Sequence, residues 1–282
     1  MQYNSTQGCE NRIHYLWAMI SPSDSNIAVI GAGNLAWSLI PALNQAGFFV
    51  STLISRSSEK VNFYTKSLKI PVGHTDLTAI PPEVNIVFLT TGDQALPQIA
   101  HQLAAIISTD VIVIHTSGST PLEVLSPLGE NIGVLYPLQS FKAQITKSFL
   151  QIPVFAEGSE TVLTTILPLA QSLSETVQVM DSQSRLRLHL GAVLVNNFTN
   201  CLYRLSQEIN PTVDFSVYQA LIMGHLENVF SLGPAQSQTG PAIRSDMITI
   251  EKHLQLLHDQ PEIANLYRQF STIIQPGLRS RL

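Results

Sequence analysis

The five-residue run "NIAVI", residues 26–30, passes directly into Gly31-x-Gly33-x-x-Ala36. No other feature constrains the fold of this chain as much. The run is short and apolar, as a buried strand is, and residues 34–46 read as a helix. Gly31 permits the tight turn between them. Gly33 lets backbone approach a pyrophosphate, and the small Ala36 lets helix and strand pack closely. Phosphates would sit on the free N–H groups where the helix begins, at Asn34 and Leu35. Glycine-rich strand–helix turns also occur as plain structural turns, but here the motif opens the first βαβ unit.

The same alternation continues along the chain. "FFVSTLIS", "NIVFLTT", "DVIVIHTSG" and "NIGVLYPL" read as further strands, with a helix over about 95–107. Short β-rich runs joined by helical crossovers are the signature of a parallel sheet covered on both faces. "IPVFAEG", a helix over about 161–174 and "TVQVMD" extend that sheet. After Asp181 the character changes. Residues 184–209 are apolar at helical spacing, as are "SVYQALIMGHLENVFSL", "DMITIEKHLQLLH" and "EIANLYRQFSTIIQ", with no strand candidate among them. The expected class is α/β: a doubly wound, mostly parallel Rossmann sheet over 26–182, then an all-helical domain over 183–282. Residues 1–25 end in the turn-like "SPSDS", and 1–18 read as a loose arm or a mis-assigned start ahead of Met19.

Composition closes off several functions. Apolar residues make up 45% and charged residues 12%, enough to bury a core and too little charge for a disordered chain. A net charge of −5 argues against a general nucleic-acid binder. Cys9 and Cys201 are far apart with no metal spacing, and read as free thiols in a reducing cytoplasm. No metal site is expected, since no histidine pairs convincingly with another ligand; His253 and His258 read as a solvated helix face. The longest apolar runs fall far short of a membrane span of about 20 residues.

The end of the second strand speaks to the nucleotide. An NAD enzyme commonly places Asp or Glu there to bond the ribose 2′-hydroxyl, whereas this chain has Ser55-Arg56-Ser57. Arg56 can fork onto a 2′-phosphate and the serines can donate to it, which points to NADP. The plainer alternative is an exposed loop arginine. At the ends of the next strands, Thr90 and Thr91 are candidates for ribose or phosphate. Asp93 reads best as a helix cap. In "HTSGS", His115, Thr116 and Ser117 would face the nicotinamide, with Ser117 forming a wall of the substrate site rather than a nucleophile.

Taken in order and spacing, "NIAVIGAGNLA", "SRS", "IVFLTTGDQAL", "HTSGS", "GVLYPLQSF", "LHLGAVLVNNFTNCLY" and "QTGPAIRSD" resemble a known family. These are the Rossmann-like proteins with a C-terminal domain of unknown function, relatives of pyrroline-5-carboxylate reductase and of deazaflavin-dependent NADP oxidoreductases. The resemblance spans about residues 26–282. It implies an oxidoreductase fold and leaves the substrate open. Many members carry His-Pro where this chain has Tyr136-Pro137, so a step using that histidine would need another group here.

In such two-domain proteins substrate binds between the sheet edge and the first long helix of the second domain. That helix carries His189, Asn196, Asn197 and Asn200. In an α-helix His189 and Asn196 share a face, and Asn200 continues it. His189 would give a proton to a carbonyl or imine as hydride arrives, and Asn196 or Asn197 would hold substrate or the nicotinamide amide. The alternative is a set of hydrogen-bonded structural residues. The Lys–Asn pair of the related β-hydroxyacid dehydrogenases is absent, because Ala192 and Val193 stand where the lysine would. In "QTGPAIRSD", Gly240-Pro241 fix a turn and Ser245 or Asp246 could cap the next helix. By analogy with pyrroline-5-carboxylate reductases, Thr239 and Arg244 are candidates for substrate, with an Arg244–Asp246 pair as the alternative. The leading expectation is an NADP-dependent oxidoreductase acting on a small carbonyl or imine, dimeric through its helical domain, without nucleic-acid or membrane partners. A non-catalytic NADP(H)-binding sensor or assembly protein is the alternative.

Overall fold

The computed structural model describes residues 22–282. The proposed arm over 1–18 and Cys9 lie outside the described residues. From Asn26 the chain alternates as the pattern requires. β1 is Asn26–Ile30, α1 Ala36–Gln45, β2 Phe49–Ile54, α2 Ser58–Leu68 and β3 Val72–His74. β4 is Ile86–Leu89, α3 Leu96–Ala104, β5 Ile112–His115 and β6 Ile132–Pro137. β7 is Val154–Gly158, α4 Glu160–Leu173 and β8 Val177–Val179. The strands form one eight-stranded sheet in the order β3-β2-β1-β4-β5-β6-β7-β8. Every pairing is parallel except β6 with β7.

The two-residue side-chain period of a strand divides the core between two faces. Ile27, Val29, Ile86 and Phe88 pack with Leu39 of α1 and Ile166 of α4. Their neighbours Ala28, Ile30, Val87 and Leu89 pack with Leu96, Ala100 and Leu103 of α3. Both faces are therefore dry, which is why these strands are apolar throughout rather than alternating. β6 departs from this plan. Val134 and Tyr136 turn to a separate cluster with Phe155 of β7 and Leu188.

Strand order reverses direction between β1 and β4. In open parallel sheets a ligand lies outside the carboxyl ends of the strands at such a point. Here those ends lead into Gly31 and Thr90.

The remaining chain is helical. α5 is Ser182–Ala192, a π-helical stretch covers Val193–Phe198, and α6 is Thr199–Ile209. α7 is Gln219–Leu232, α8 Met247–Leu256 and α9 Pro261–Ile274. The chain forms two compact units, divided after Asn196. α5 thus belongs with the sheet, although residue 183 is where the sequence pattern turns helical. In the second unit Ala242, Ile250 and Leu278 form a small core, joined by Tyr267 and Ile274. Among the described residues no helix is long and apolar enough to cross a membrane.

Candidate functional site

The glycine turn is built as a cradle. Gly31 has φ +116°, and a Cβ there would stand 2.8 Å from the Thr90 carbonyl carbon and oxygen. Its N–H donates to the Ile54 carbonyl at 2.7 Å. What passes so close to Gly31 is therefore the backbone leaving β4. At Gly33 a Cβ would meet only the Thr90 oxygen, at 3.3 Å, so this glycine leaves the mouth of the turn open. The N–H groups of Gly33, Asn34 and Leu35 have no acceptor among the described residues. Leu35 starts α1 without a side-chain cap. Bare N–H groups at a helix start, beside a backbone stripped of side chains, are what a phosphate needs.

The Thr90 hydroxyl has another task. It is buried and donates to the Gly31 carbonyl at 2.7 Å, tying β4 to the turn. With that bond made, the Thr90 hydroxyl has no proton left to give a ribose or a phosphate. The Thr91 hydroxyl is buried without a partner and remains available. The Asn34 side chain accepts from the Ala143 N–H at 3.1 Å, which anchors the segment after β6 beside the turn. At the end of β2, Arg56 is exposed and has no partner among the described residues. Ser57 caps α2, accepting from the Lys60 N–H at 3.2 Å. The Ser55 N–H donates to the His74 carbonyl at the end of β3.

A second cluster lies at the ends of β4, β5 and β6. Ser117 organises its own loop: its hydroxyl donates to Thr120 Oγ1 and accepts from the N–H groups of Ser119 and Thr120. Thr116 donates to the Leu89 carbonyl at 3.2 Å. Asp93 does not cap a helix; Gly92 holds the cap position, and Asp93 accepts from the Ser119 hydroxyl at 2.5 Å. His115 does not face a ligand either. It is fully buried, its Nδ1 accepts from the Ser117 N–H at 3.2 Å, and its Nε2 makes no hydrogen bond of good geometry. Burial, helped by the Arg185 charge, lowers its pKa from 6.5 to about 4, against the opposing pull of Asp93 and the Pro121 carbonyl.

Three residues outside the expected set organise this region. Arg185 of α5 is buried, paired with Glu157, and donates to the Thr120 carbonyl at 2.6 Å. Glu157 also accepts from the Ser182 N–H and hydroxyl. Tyr136, the second-last residue of β6, has its hydroxyl 3.1 Å from His189 Nδ1. The position where His-Pro was the family expectation is thus occupied by a tyrosine already paired with a histidine. Arg185 carried no sequence signal beyond its place in an apolar helix, while Tyr136 had the signal of that departure.

The expected line from His189 to Asn196 fails for a geometric reason. The π-helical stretch Val193–Phe198 closes i→i+5 bonds, so residues beyond Ala192 rotate away from α-helical register. Asn196 and Asn197 are exposed, without a hydrogen-bond partner among the described residues, and fall on either side of the division between units. In the second unit Thr239 lines a cavity of about 270 Å³ with Leu202, Pro241, Tyr267 and Ile274. Arg244 is exposed and makes no ion pair with Asp246. Asp246 caps α8; it accepts from the Thr249 hydroxyl and from the Thr249 N–H, and these bonds lower its carboxyl pKa. His253 is half-buried rather than solvated, with Nδ1 2.8 Å from the Tyr267 hydroxyl. Among the described residues no metal-binding group forms.

Residues 15–139 match the family described as a Rossmann-like domain, and residues 152–274 match a domain of unknown function, DUF2520. Among solved structures, a Bacteroides fragilis protein provisionally described as an NADP oxidoreductase is 34% identical with a TM-score of 0.83, covering 91% of this chain and all of that one. A Thermotoga maritima protein is 21% identical with a TM-score of 0.67, covering 90% of this chain and 99% of that one. A prephenate dehydrogenase from Aquifex aeolicus, solved with hydroxyphenyl propionate and NAD+, has a TM-score of 0.56 at 15% identity, covering 90% and 98%, and shares the fold alone. A comparison with curated proteins finds no match.

Proposed function

This chain belongs to the family of Rossmann-like proteins that carry the DUF2520 domain, and from that premise we propose that it is an NADP(H)-dependent oxidoreductase reducing a small carbonyl or imine. One observation carries the reading. The open cradle of Gly33, Asn34 and Leu35 lies at the sheet's switch point, and the second strand ends in an unpartnered Arg56 where a carboxylate would mark NAD. Gly31, Gly33, Asn34 and Leu35 would hold the pyrophosphate. Ser55, Arg56 and the cap of α2 at Ser57 would hold the 2′-phosphate, and Thr91 and Thr116 would line the ribose and nicotinamide. When bound, the reduced nicotinamide supplies hydride. His189 supplies the proton side, while Ser117 and Asn196 of the same unit are assigned to substrate. Orientation of donor and acceptor then does much of the work, which needs few reactive side chains. The free Cys201 thiol fits the cytoplasm.

We further propose a homodimer through the helical region. α7 is rich in apolar side chains, yet none of its residues is buried, and Leu221 and Phe230 are 70% and 87% exposed. Large apolar side chains exposed together mark a surface that another chain covers.

The test is titration with NADPH and NADH, followed by nicotinamide fluorescence. Wild type should prefer NADPH. Arg56→Ala should weaken NADPH roughly 10- to 100-fold, the worth of a charge-assisted phosphate contact, and leave NADH almost unchanged. Equal loss for both nucleotides refutes the role of Arg56. Binding of neither by wild type refutes the oxidoreductase reading.

A further inference from the structure

We propose that the Tyr136 hydroxyl, rather than His189 directly, protonates the reacting oxygen or nitrogen, and that His189 is the positioning residue that holds and reloads it. The proposal rests on the reading of the chain as an NADP(H)-dependent oxidoreductase.

Two independent pieces of geometry carry it. The first is the pair itself. Tyr136 stands on the rigid sheet near the end of β6, and its hydroxyl lies 3.1 Å from Nδ1 of His189 on α5. The rings meet edge to face at 6.0 Å, and the Phe155 ring lies 6.5 Å from that of the tyrosine. The second is Gly118. Its φ is not in the left-handed region, so the backbone does not require glycine there. Space does. A Cβ at 118 would lie 2.6 Å from Tyr136 Cζ and 2.7 Å from His189 Nδ1. The loop leaving β5 therefore lies against the phenol carbon and the imidazole nitrogen that make the pair. β4, β5 and β6 run parallel, so this point falls at the same carboxyl edge as Thr91 and the glycine turn.

The electrostatics keep the phenol protonated. Burial raises the phenol's pKa, and Asp93 adds to the rise while Arg185 opposes it. The hydroxyl thus keeps its proton at neutral pH. Around the pair, Arg185 is neutralised by Glu157, and His115 is held neutral. His189 is only half-buried, so it is the member of the pair that solvent reaches.

The balance is simple. Hydride adds to the carbonyl carbon and the π pair moves to oxygen. That oxygen takes the Tyr136 proton. The phenolate oxygen takes the proton from His189 Nδ1 as Nε2 takes one from solvent, so the ring relays one proton with no net change of charge. An imine nitrogen follows the same path.

Three proteins test this: wild type, Tyr136→Phe and His189→Gln. NADPH affinity is measured first, then NADPH oxidation with a panel of 2-oxo acids and cyclic imines. Tyr136→Phe should bind NADPH as wild type does and lose roughly 10²- to 10⁴-fold in kcat, the range for general acids. His189→Gln should lose less in kcat and bind NADPH as wild type does. The ring ¹⁵N resonances of His189 should move on Tyr136→Phe and stay in place on Tyr64→Phe. Wild-type turnover with kcat retained in Tyr136→Phe overturns the proposal and leaves the oxidoreductase reading standing. NADPH binding with no oxidation of any acceptor in the panel overturns both.

Discussion

The buried His115 makes stability depend on pH in a calculable way. Its pKa is 6.5 in the unfolded chain and about 4 in the folded one. The folded state therefore resists protonation, and the unfolded state takes up the proton first as pH falls. Stability is fully present above about pH 6.5 and drains away toward pH 4. At pH 4.5 an unfolded histidine is almost wholly protonated and the folded one only about a quarter so, which costs about 2.5 kcal/mol relative to pH 7. His115→Asn removes the titration while offering an oxygen to the Ser117 N–H that Nδ1 now accepts. Urea unfolding followed by tryptophan fluorescence is suitable, because Trp37 packs on Phe63 and Tyr64 of the sheet unit. The variant starts less stable, since a smaller side chain fills the site. Carboxylates titrate equally in both proteins and cancel in the difference. Wild type should lose about 2 to 2.5 kcal/mol more than the variant between pH 7 and 4.5. Equal losses would show that His115 is not held neutral, and the account of its burial would fall.

Gly31→Ala should abolish NADPH binding and cost about 2 kcal/mol or more, because a Cβ would strike the Thr90 backbone at φ +116°. Gly33→Ala meets only one atom at 3.3 Å, so it should keep the fold and lose nucleotide affinity alone; thermal melts beside NADPH titrations separate the two. Arg185→Ala should destabilise by about 3–5 kcal/mol by stranding Glu157, and Arg185→Met with Glu157→Gln should recover much of that in urea unfolding. Phe230→Glu should lower the mass in light scattering from twice 30.9 kDa toward one chain; an unchanged mass would place the interface elsewhere.

What was legible in the sequence was what the backbone writes locally. Gly31 announces a positive φ, and Ile27–Ile30 announce a strand dry on both sides, because each requirement falls on the residue that meets it. β3 went unread since Val72–His74 is three residues with a glycine in the middle, paired at an edge. The alignment of His189 with Asn196 was wrong for a related reason. The α-helical period is a default, and a π turn leaves no mark in composition.

The site's chemistry depends on a different kind of information. Thr90 looked like a ligand residue because it stands at a strand end, but the turn it adjoins had already claimed its hydroxyl. Tyr136 and His189 are 53 residues apart, and their meeting depends on β6 turning one face toward α5 rather than toward a covering helix. Gly118 is the one residue whose type encodes that meeting. In sequence it passes for an ordinary loop glycine, and only its φ excludes that explanation. At Gly118 it is space rather than backbone that requires glycine, because a Cβ there would meet both Tyr136 and His189. Here those two are the aromatic hydroxyl and the imidazole that a reductase would need to deliver a proton.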